Sequence, residues 1–201
     1  MSNISQRIIY LARHGETEWN RIGRWQGSTD IPLSEVGRAQ ARSLAHRLRD
    51  RGIGRVHASQ LSRALETSQI VAAHLELPAP LGDARLQERG YGAFEGLTRE
   101  QCAERFPDVW ERYLADRRAL PPGAEPQPSV VGRITAALTE IASHDSPASV
   151  GSAVLVVSHG GIIRSFLHHA TGVVPAPLEN GAMFRLQFQG GVLLSAELDA
   201  V

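Results

Sequence analysis

Two histidines in this chain stand in the same local setting. His14 follows the apolar run Ile8-Ile9-Tyr10-Leu11-Ala12 and then Arg13, and precedes Gly15. His159 follows Ala153-Val154-Leu155-Val156-Val157-Ser158 and precedes Gly160-Gly161. A short apolar run that breaks into His-Gly reads as a buried strand delivering an imidazole at its end. A neutral imidazole, with an ordinary pKa near ~6.5, can attack an electrophile at neutral pH. Arg13 adds a planar fork of donors. Gly15 and Gly160 leave backbone N–H groups uncovered, and a helix opening at Gly160 would add the positive end of its dipole. Such a set suits a tetrahedral oxyanion such as phosphate.

These residues need elements to hold them. "RIIYLA" (7–12), "RVHAS" (55–59) and "SAVLVVS" (152–158) read as strands. A helix is predicted from an N-cap at Ser34 to about Asp50, with Ala41, Leu44, Ala45 and Leu48 on one face. Another runs from about Leu61 with Ala64, Leu65, Ser68, Ala72 and Leu75 in register. Residues 84–97 form a loop-rich stretch. Helical patterns return over 98–118, interrupted near Pro107, and over 129–143 after the proline-rich connection 119–129. "HGGIIRSFLHHATG" opens a last helix, and "MFRLQFQGGVLLSAEL" reads as a closing hairpin about Gly190-Gly191. Alternating strands and helices predict an α/β three-layer sandwich with a mostly parallel central sheet, a single domain over 1–201. In open α/β sheets ligands bind beyond the carboxyl ends of parallel strands, so neighbouring strands would bring His14 and His159 over one pocket.

Composition removes several classes. Twenty-one basic residues balance twenty-one acidic ones, which argues against nucleic acid or an anionic membrane as the main partner. All the basic residues are Arg; a coding bias explains this more simply than a bias toward oxyanion binding. The single Cys102 excludes an internal disulfide and points to a reducing compartment. Ile8–Ala12 is too short for a signal-peptide core or a membrane span, so a cytoplasmic location is expected. No His or carboxylate spacing suggests a metal site.

The sequence resembles the histidine phosphatase, or phosphoglycerate mutase-like, superfamily. The segments "LARHGETEWN", "QGSTDIPLSEVGRAQA", "ASQLSRALETS", "ERGYGAFEGLT" and "VSHGG" carry the resemblance in family order over nearly the whole chain. It implies that His14 attacks phosphorus and becomes phosphohistidine. Arg13 and Arg63 would clamp the phosphoryl oxygens, and Asn20 and Gly160 would touch the phosphate. His159 would contact the phosphoryl group and support its charge. Glu88 would be the general acid, a role that needs a carboxyl able to hold a proton near neutral pH. Glu95 would order its loop, and Glu16 would be structural. No metal is implied.

The fate of a phosphohistidine separates a phosphatase from a mutase. Arg89, Tyr91 and Arg99 match the mutase pattern, where they would help bind the substrate. The short 101–150 segment and "QGSTDIPL" match the small phosphatase branch. Arg117-Arg118 could hold a substrate carboxylate, though a solvated helix end is the simpler reading. The expectation is a phosphomonoesterase acting on a small phosphorylated metabolite. The alternative is a phosphoglycerate mutase, which alone would use 2,3-bisphosphoglycerate as a primer. A protein phosphatase and a non-catalytic phospho-ligand binding module are further readings. A homodimer is one of the assemblies the resemblance allows.

Overall fold

A computed structural model describes residues 6–116, 119–144 and 153–199. Strand β1 (Gln6–Arg13) lies beside β4 (Ala153–Ser158) in parallel, and β4 lies beside β2 (Ile53–Ala58) in parallel. The two-residue strand β3 (Leu81–Gly82) extends the parallel side. On the other side, β5 (Met183–Gln189) runs antiparallel to β1 and is joined by a tight hairpin to β6 (Val192–Leu198). The order is β3-β2-β4-β1-β5-β6, so the sheet is mostly parallel, as the alternation of elements predicts.

The sheet divides its strand residues between two cores. Ile9 and Leu11 of β1, with Val154 and Val156 of β4, pack under α6 (Gln127–His144) and α7 (Gly160–Thr171). Tyr10 and Ala12, with Leu155 and Val157, pack under α2 (Glu35–Leu48) and α3 (Ser62–His74). The alternation follows from the two-residue period of a strand, and burial on both faces explains why β4 is apolar throughout. Helices cover both faces, giving three layers.

Helix α2 begins where expected: the Ser34 side chain accepts the Gly37 N–H. The helical stretch after residue 98 is two short helices, α4 (Arg99–Arg105) and α5 (Pro107–Ala115), divided at Phe106 because Pro107 has no N–H to continue the ladder. Helix α6 starts at Gln127, inside the stretch expected to be a connection. The one-turn helix α1 (Glu18–Arg21) carries no periodic signal and exists through its capping box between Thr17 and Asn20. A separate small core, Phe94, Leu97, Cys102 and Tyr113 with Trp25, Phe106 and Trp110 against it, sits above the carboxyl ends of the strands. Among the described residues no helix is long and apolar enough to cross a membrane.

Candidate active site

The β1–β4 register pairs Arg13 with Ser158, so the next residues of the two strands are His14 and His159. Their ring centroids stand 5.0 Å apart. The His14 N–H donates to Ser158 O at 3.0 Å, continuing the sheet one residue into the site. Adjacent parallel strands thus bring together two residues far apart in sequence.

His14 is 3% exposed, and its Nδ1 lies 2.6 Å from Gly15 O. A carbonyl oxygen only accepts, so Nδ1 carries the proton and Nε2 presents a lone pair. Burial, then the charges of Arg13 and Arg63, hold the ring well below the usual histidine range. It is therefore neutral, the form that attacks. Gly15 permits this turn: a Cβ there would lie 2.3 Å from Gly37 O, where the first turn of α2 crosses the strand end. Glu16 ties the strand end to α2: its N–H donates to Gln40 Oε1 at 2.7 Å, and its Oε1 accepts from Ser34 Oγ at 2.9 Å.

Arg63 stands in the first turn of α3 and is wholly buried. Its Nη1 donates to Thr29 O at 2.9 Å, its Nη2 to Gly27 O at 2.8 Å, and its Nε to His159 Nδ1 at 3.2 Å. None of these three partners is an anion. Two η N–H groups remain on the fork, and burial pulls its pKa down because the charge lacks water. Arg13 donates through Nη1 to Leu178 O, while its buried Nε has no partner among the described residues. With no carboxylate bonded to either among the described residues, the buried Arg63 and the half-buried Arg13 form a ready site for an anion.

The segment behind "QGSTD" explains how Arg63 is held. Glu95 accepts from the Ser28 N–H at 3.0 Å, the Thr29 N–H at 3.1 Å and the Tyr91 N–H at 2.8 Å. It thereby locks the loop whose carbonyls grip Arg63. These hydrogen bonds pull its carboxyl below the usual range against the opposing effect of burial. Asp30 accepts from Ser62 N–H and Oγ, both at 2.7 Å, and so caps α3 from the same loop.

Glu88 occupies the start of α7. Its Oε2 accepts from Gly161 N–H at 2.8 Å, and its Oε1 from Ile162 N–H at 2.9 Å and Arg89 N–H at 2.8 Å. The N–H groups that follow Gly160 in the first turn thus hold this carboxyl group, while Gly160 itself lines the cavity. A Cβ on Gly161 would lie 2.3 Å from Tyr91 Oη and 2.6 Å from Glu88 Oε1, so only glycine leaves room for both. Burial, then the Glu88 charge, pushes the Tyr91 hydroxyl well above its ordinary range.

A cavity of about 540 Å³ opens above these groups. Arg13, His14, Asn20, Arg63, Glu88, Tyr91, Arg99 and Gly160, all expected from the sequence, line it. Two expected residues are placed differently. His159 is fully buried behind Arg63, both ring nitrogens are engaged, and it does not line the cavity. Arg89 is not among the lining residues; it is buried against the neighbouring loop, donating from Nε to Glu125 O at 2.8 Å. Asn20 uses its carbonyl oxygen on Thr17 N–H and Oγ, both at 3.1 Å, and on Asn180 Nδ2 at 3.3 Å. Arg117 and Arg118 lie outside the described residues. Sequence reasoning missed Trp19, Trp25, Gln26 and Arg164, which also line the cavity. Arg164 could have been found one turn after Gly160 on the same helix face. Gln26 precedes the Gly27 that holds Arg63, and its buried Oε1 has no partner among the described residues. Also among the described residues, no group of three or more His, Cys, Asp or Glu could hold a metal ion.

An α/β sheet with a buried histidine at a strand end, the half-buried Arg13 before it and the buried Arg63 in the first turn of α3 fits a phosphoryl-transfer protein. The chain matches the family model described as "Histidine phosphatase superfamily (branch 1)" over residues 9–193 and belongs to that family. It is 36% identical to phosphoglycerate mutase-like protein 4 of Arabidopsis thaliana, over 81% of this chain and 70% of that protein. It is 35% identical to a metal-independent phosphoserine phosphatase of the same plant, over 78% of this chain and 66% of that protein. The fold superposes on a mycobacterial glucosyl-3-phosphoglycerate phosphatase in complex with VO3, with a TM-score of 0.77 and 27% identity, covering 97% of this chain and 98% of that one. The chain is an enzyme that transfers phosphoryl groups.

Proposed function

We propose that this protein hydrolyses small phosphomonoesters in the cytoplasm through a phosphohistidine at His14. The observation that carries the reading is the buried His14, its Nδ1 held against Gly15 O, beside the buried Arg63 and the half-buried Arg13, neither of which is bonded to a carboxylate among the described residues. The ester's phosphoryl group binds between Arg13 and Arg63. Nε2 attacks phosphorus, the P–O ester bond breaks, and the guanidinium groups neutralise charge on the equatorial oxygens.

The leaving alkoxide needs a proton. A carboxyl group offers about four acceptor positions, and Glu88 fills three with backbone N–H groups. The remaining position, on Oε2, is where the proton delivered to the leaving oxygen is carried. In the second half, Glu88 takes a proton from water as water attacks phosphorus. The P–N bond breaks and inorganic phosphate leaves, restoring His14. No step calls for a metal or an organic cofactor, in keeping with the metal-independent relative.

Water access favours hydrolysis over a mutase outcome, because Ile22, Arg99 and Glu100 at the cavity are exposed. Arg99 is the observation that keeps the mutase reading open, since it adds an exposed cation to the cavity beside Arg13 and Arg63. Phosphorus NMR on the protein with a panel of phosphomonoesters tests both. Growth of inorganic phosphate is the expected result. Conversion of 3-phosphoglycerate to 2-phosphoglycerate, with a trace of the 2,3-bisphosphate, would assign a mutase. Turnover of a phosphopeptide alone would overturn the metabolite assignment. Acid quenching with labelled substrate should trap label on His14.

A further inference from the structure

The Ser59 hydroxyl stands behind the site, outside the residues lining the cavity. Ser59 directly follows β2, is fully buried, and donates its backbone N–H to Val157 O at 2.9 Å. Its Oγ accepts the Leu61 N–H at 3.2 Å, on the residue that opens α3, and lies 2.7 Å from His159 Nε2. Across the ring, His159 Nδ1 accepts the Arg63 Nε–H at 3.2 Å. Arginine has no acceptor and keeps its protons, so Nδ1 must present a lone pair. Burial, then the charge of Arg63, holds the ring neutral. A neutral imidazole has one N–H, which then sits on Nε2 and donates to Ser59 Oγ.

We infer that Ser59 is a positioning residue for phosphoryl transfer: it selects the Nε2–H tautomer of His159 and, through that ring, fixes the Arg63 guanidinium. The inference rests on the phosphoryl-transfer reading of the site. With Nε on His159 and the η nitrogens on Thr29 O and Gly27 O, three N–H bonds set the plane of the fork. The two remaining N–H groups then have a fixed direction for a phosphoryl oxygen. Without an acceptor at position 59, two outcomes remain. Either the Nε2–H is buried unpaired, or the proton moves to Nδ1 and two donors face each other at Arg63. Both loosen the fork.

Two-bond proton–nitrogen correlations on protein labelled with 15N-histidine read the tautomer directly. The expected wild-type pattern is a protonated Nε2 and an unprotonated Nδ1 at His159. In Ser59→Ala the His159 signals should shift toward the Nδ1–H form. The kcat should fall about 10- to 100-fold, by analogy with the loss of a hydrogen-bond partner that orients a metal-ligating histidine. Inorganic phosphate titrated into the same sample should bind more weakly. Ser59→Thr keeps a hydroxyl and should recover the wild-type tautomer and most of the rate. An Nδ1–H form in wild type would overturn the inference. So would Ser59→Ala with unchanged tautomer and kcat, or with lower stability as its only change. If Ser59→Ala does not fold, the wild-type spectrum and Ser59→Thr still decide. If the tautomers behave as stated but wild type turns over no phosphomonoester, the proposed hydrolysis fails, while phosphate binding still reports the hold on Arg63.

Discussion

The floor of the site and the wall above it are built by different means. The floor, made of Arg13, His14, Arg63, His159 and Ser59, hangs on the ends of β1, β2 and β4 and the first turn of α3. Its side chains are tied to backbone or to one another, and the two main cores lie directly beneath. The wall runs from residue 88 through α5 and has its own aromatic core, where Trp25 meets Tyr91 at 4.7 Å and Tyr113 at 5.8 Å. It presents Tyr91, Arg99 and Glu100 to the cavity. The difference teaches that the groups proposed to handle the phosphoryl are fixed by the sheet and the first turn of α3, while those proposed to face the rest of the substrate sit on a separately packed unit. Glu88 and Glu95 are the seams: one pins the wall to α7, the other pins it to the loop that holds Arg63.

The comparison can be broken from either side. His14→Ala on the floor should lower kcat by at least about 10⁴-fold with the fold intact, since losing a nucleophile removes the reaction path. Steady-state kinetics beside a circular dichroism melt check this, and a fully active variant would sink the covalent mechanism. Arg63→Lys should lower kcat/KM by about 10²- to 10³-fold, because an ammonium group cannot reproduce a fork held at three nitrogens. Phe94→Ala in the wall should behave in the opposite way. It should destabilise by about 3–5 kcal/mol in a denaturant melt, with the loss confined to the wall. There KM should rise more than kcat falls. If kcat collapsed as far as for Arg63→Lys, the two regions would not be separable.

The pH response sharpens the contrast. His14 and His159 are both held well below the ordinary histidine range, first by burial. As pH falls below about 6.5, the unfolded chain takes up protons that the folded chain refuses. The contribution of neutral burial is complete above that pH and is lost as pH drops, by about 1.4 kcal/mol per unit for each ring. Denaturant melts between pH 7 and 5 should show this slope, and replacing His159 should reduce it. The kcat/KM profile should show no histidine ionisation near pH 6.5. The smallest effect concerns Cys102 in the wall, whose thiol burial pushes up to about 11. It should alkylate slowly at pH 8, and faster in Phe94→Ala as the wall opens.

Much of the floor was legible in the sequence. β1, β4 and the helices after them have strong periods, and "RHG" and "SHGG" mark where strands end. The Ser34 cap and the Gly190-Gly191 hairpin are equally local signals. The wall was less legible. Helices α4 and α5 are short and divided at a proline, and their core is made of aromatic residues brought from Trp25 to Tyr113. The direction of Arg89 could not be read, because its partner is a carbonyl 36 residues away.

The sequence by itself determined which chemical groups exist and which strand ends carry them, because strand period, glycine breaks and caps act over a few residues. It also determined the family, through five ordered segments. Only the tertiary structure decided what each group faces. It turned the first N–H groups of α7 toward Glu88, set His159 behind Arg63 against Ser59, and made Glu95 the anchor of the Arg63 loop. The physical reason is that a buried hydrogen bond depends on which donor and acceptor the packing leaves within about 3 Å of each other. Residues distant in the chain are brought that close only by the fold.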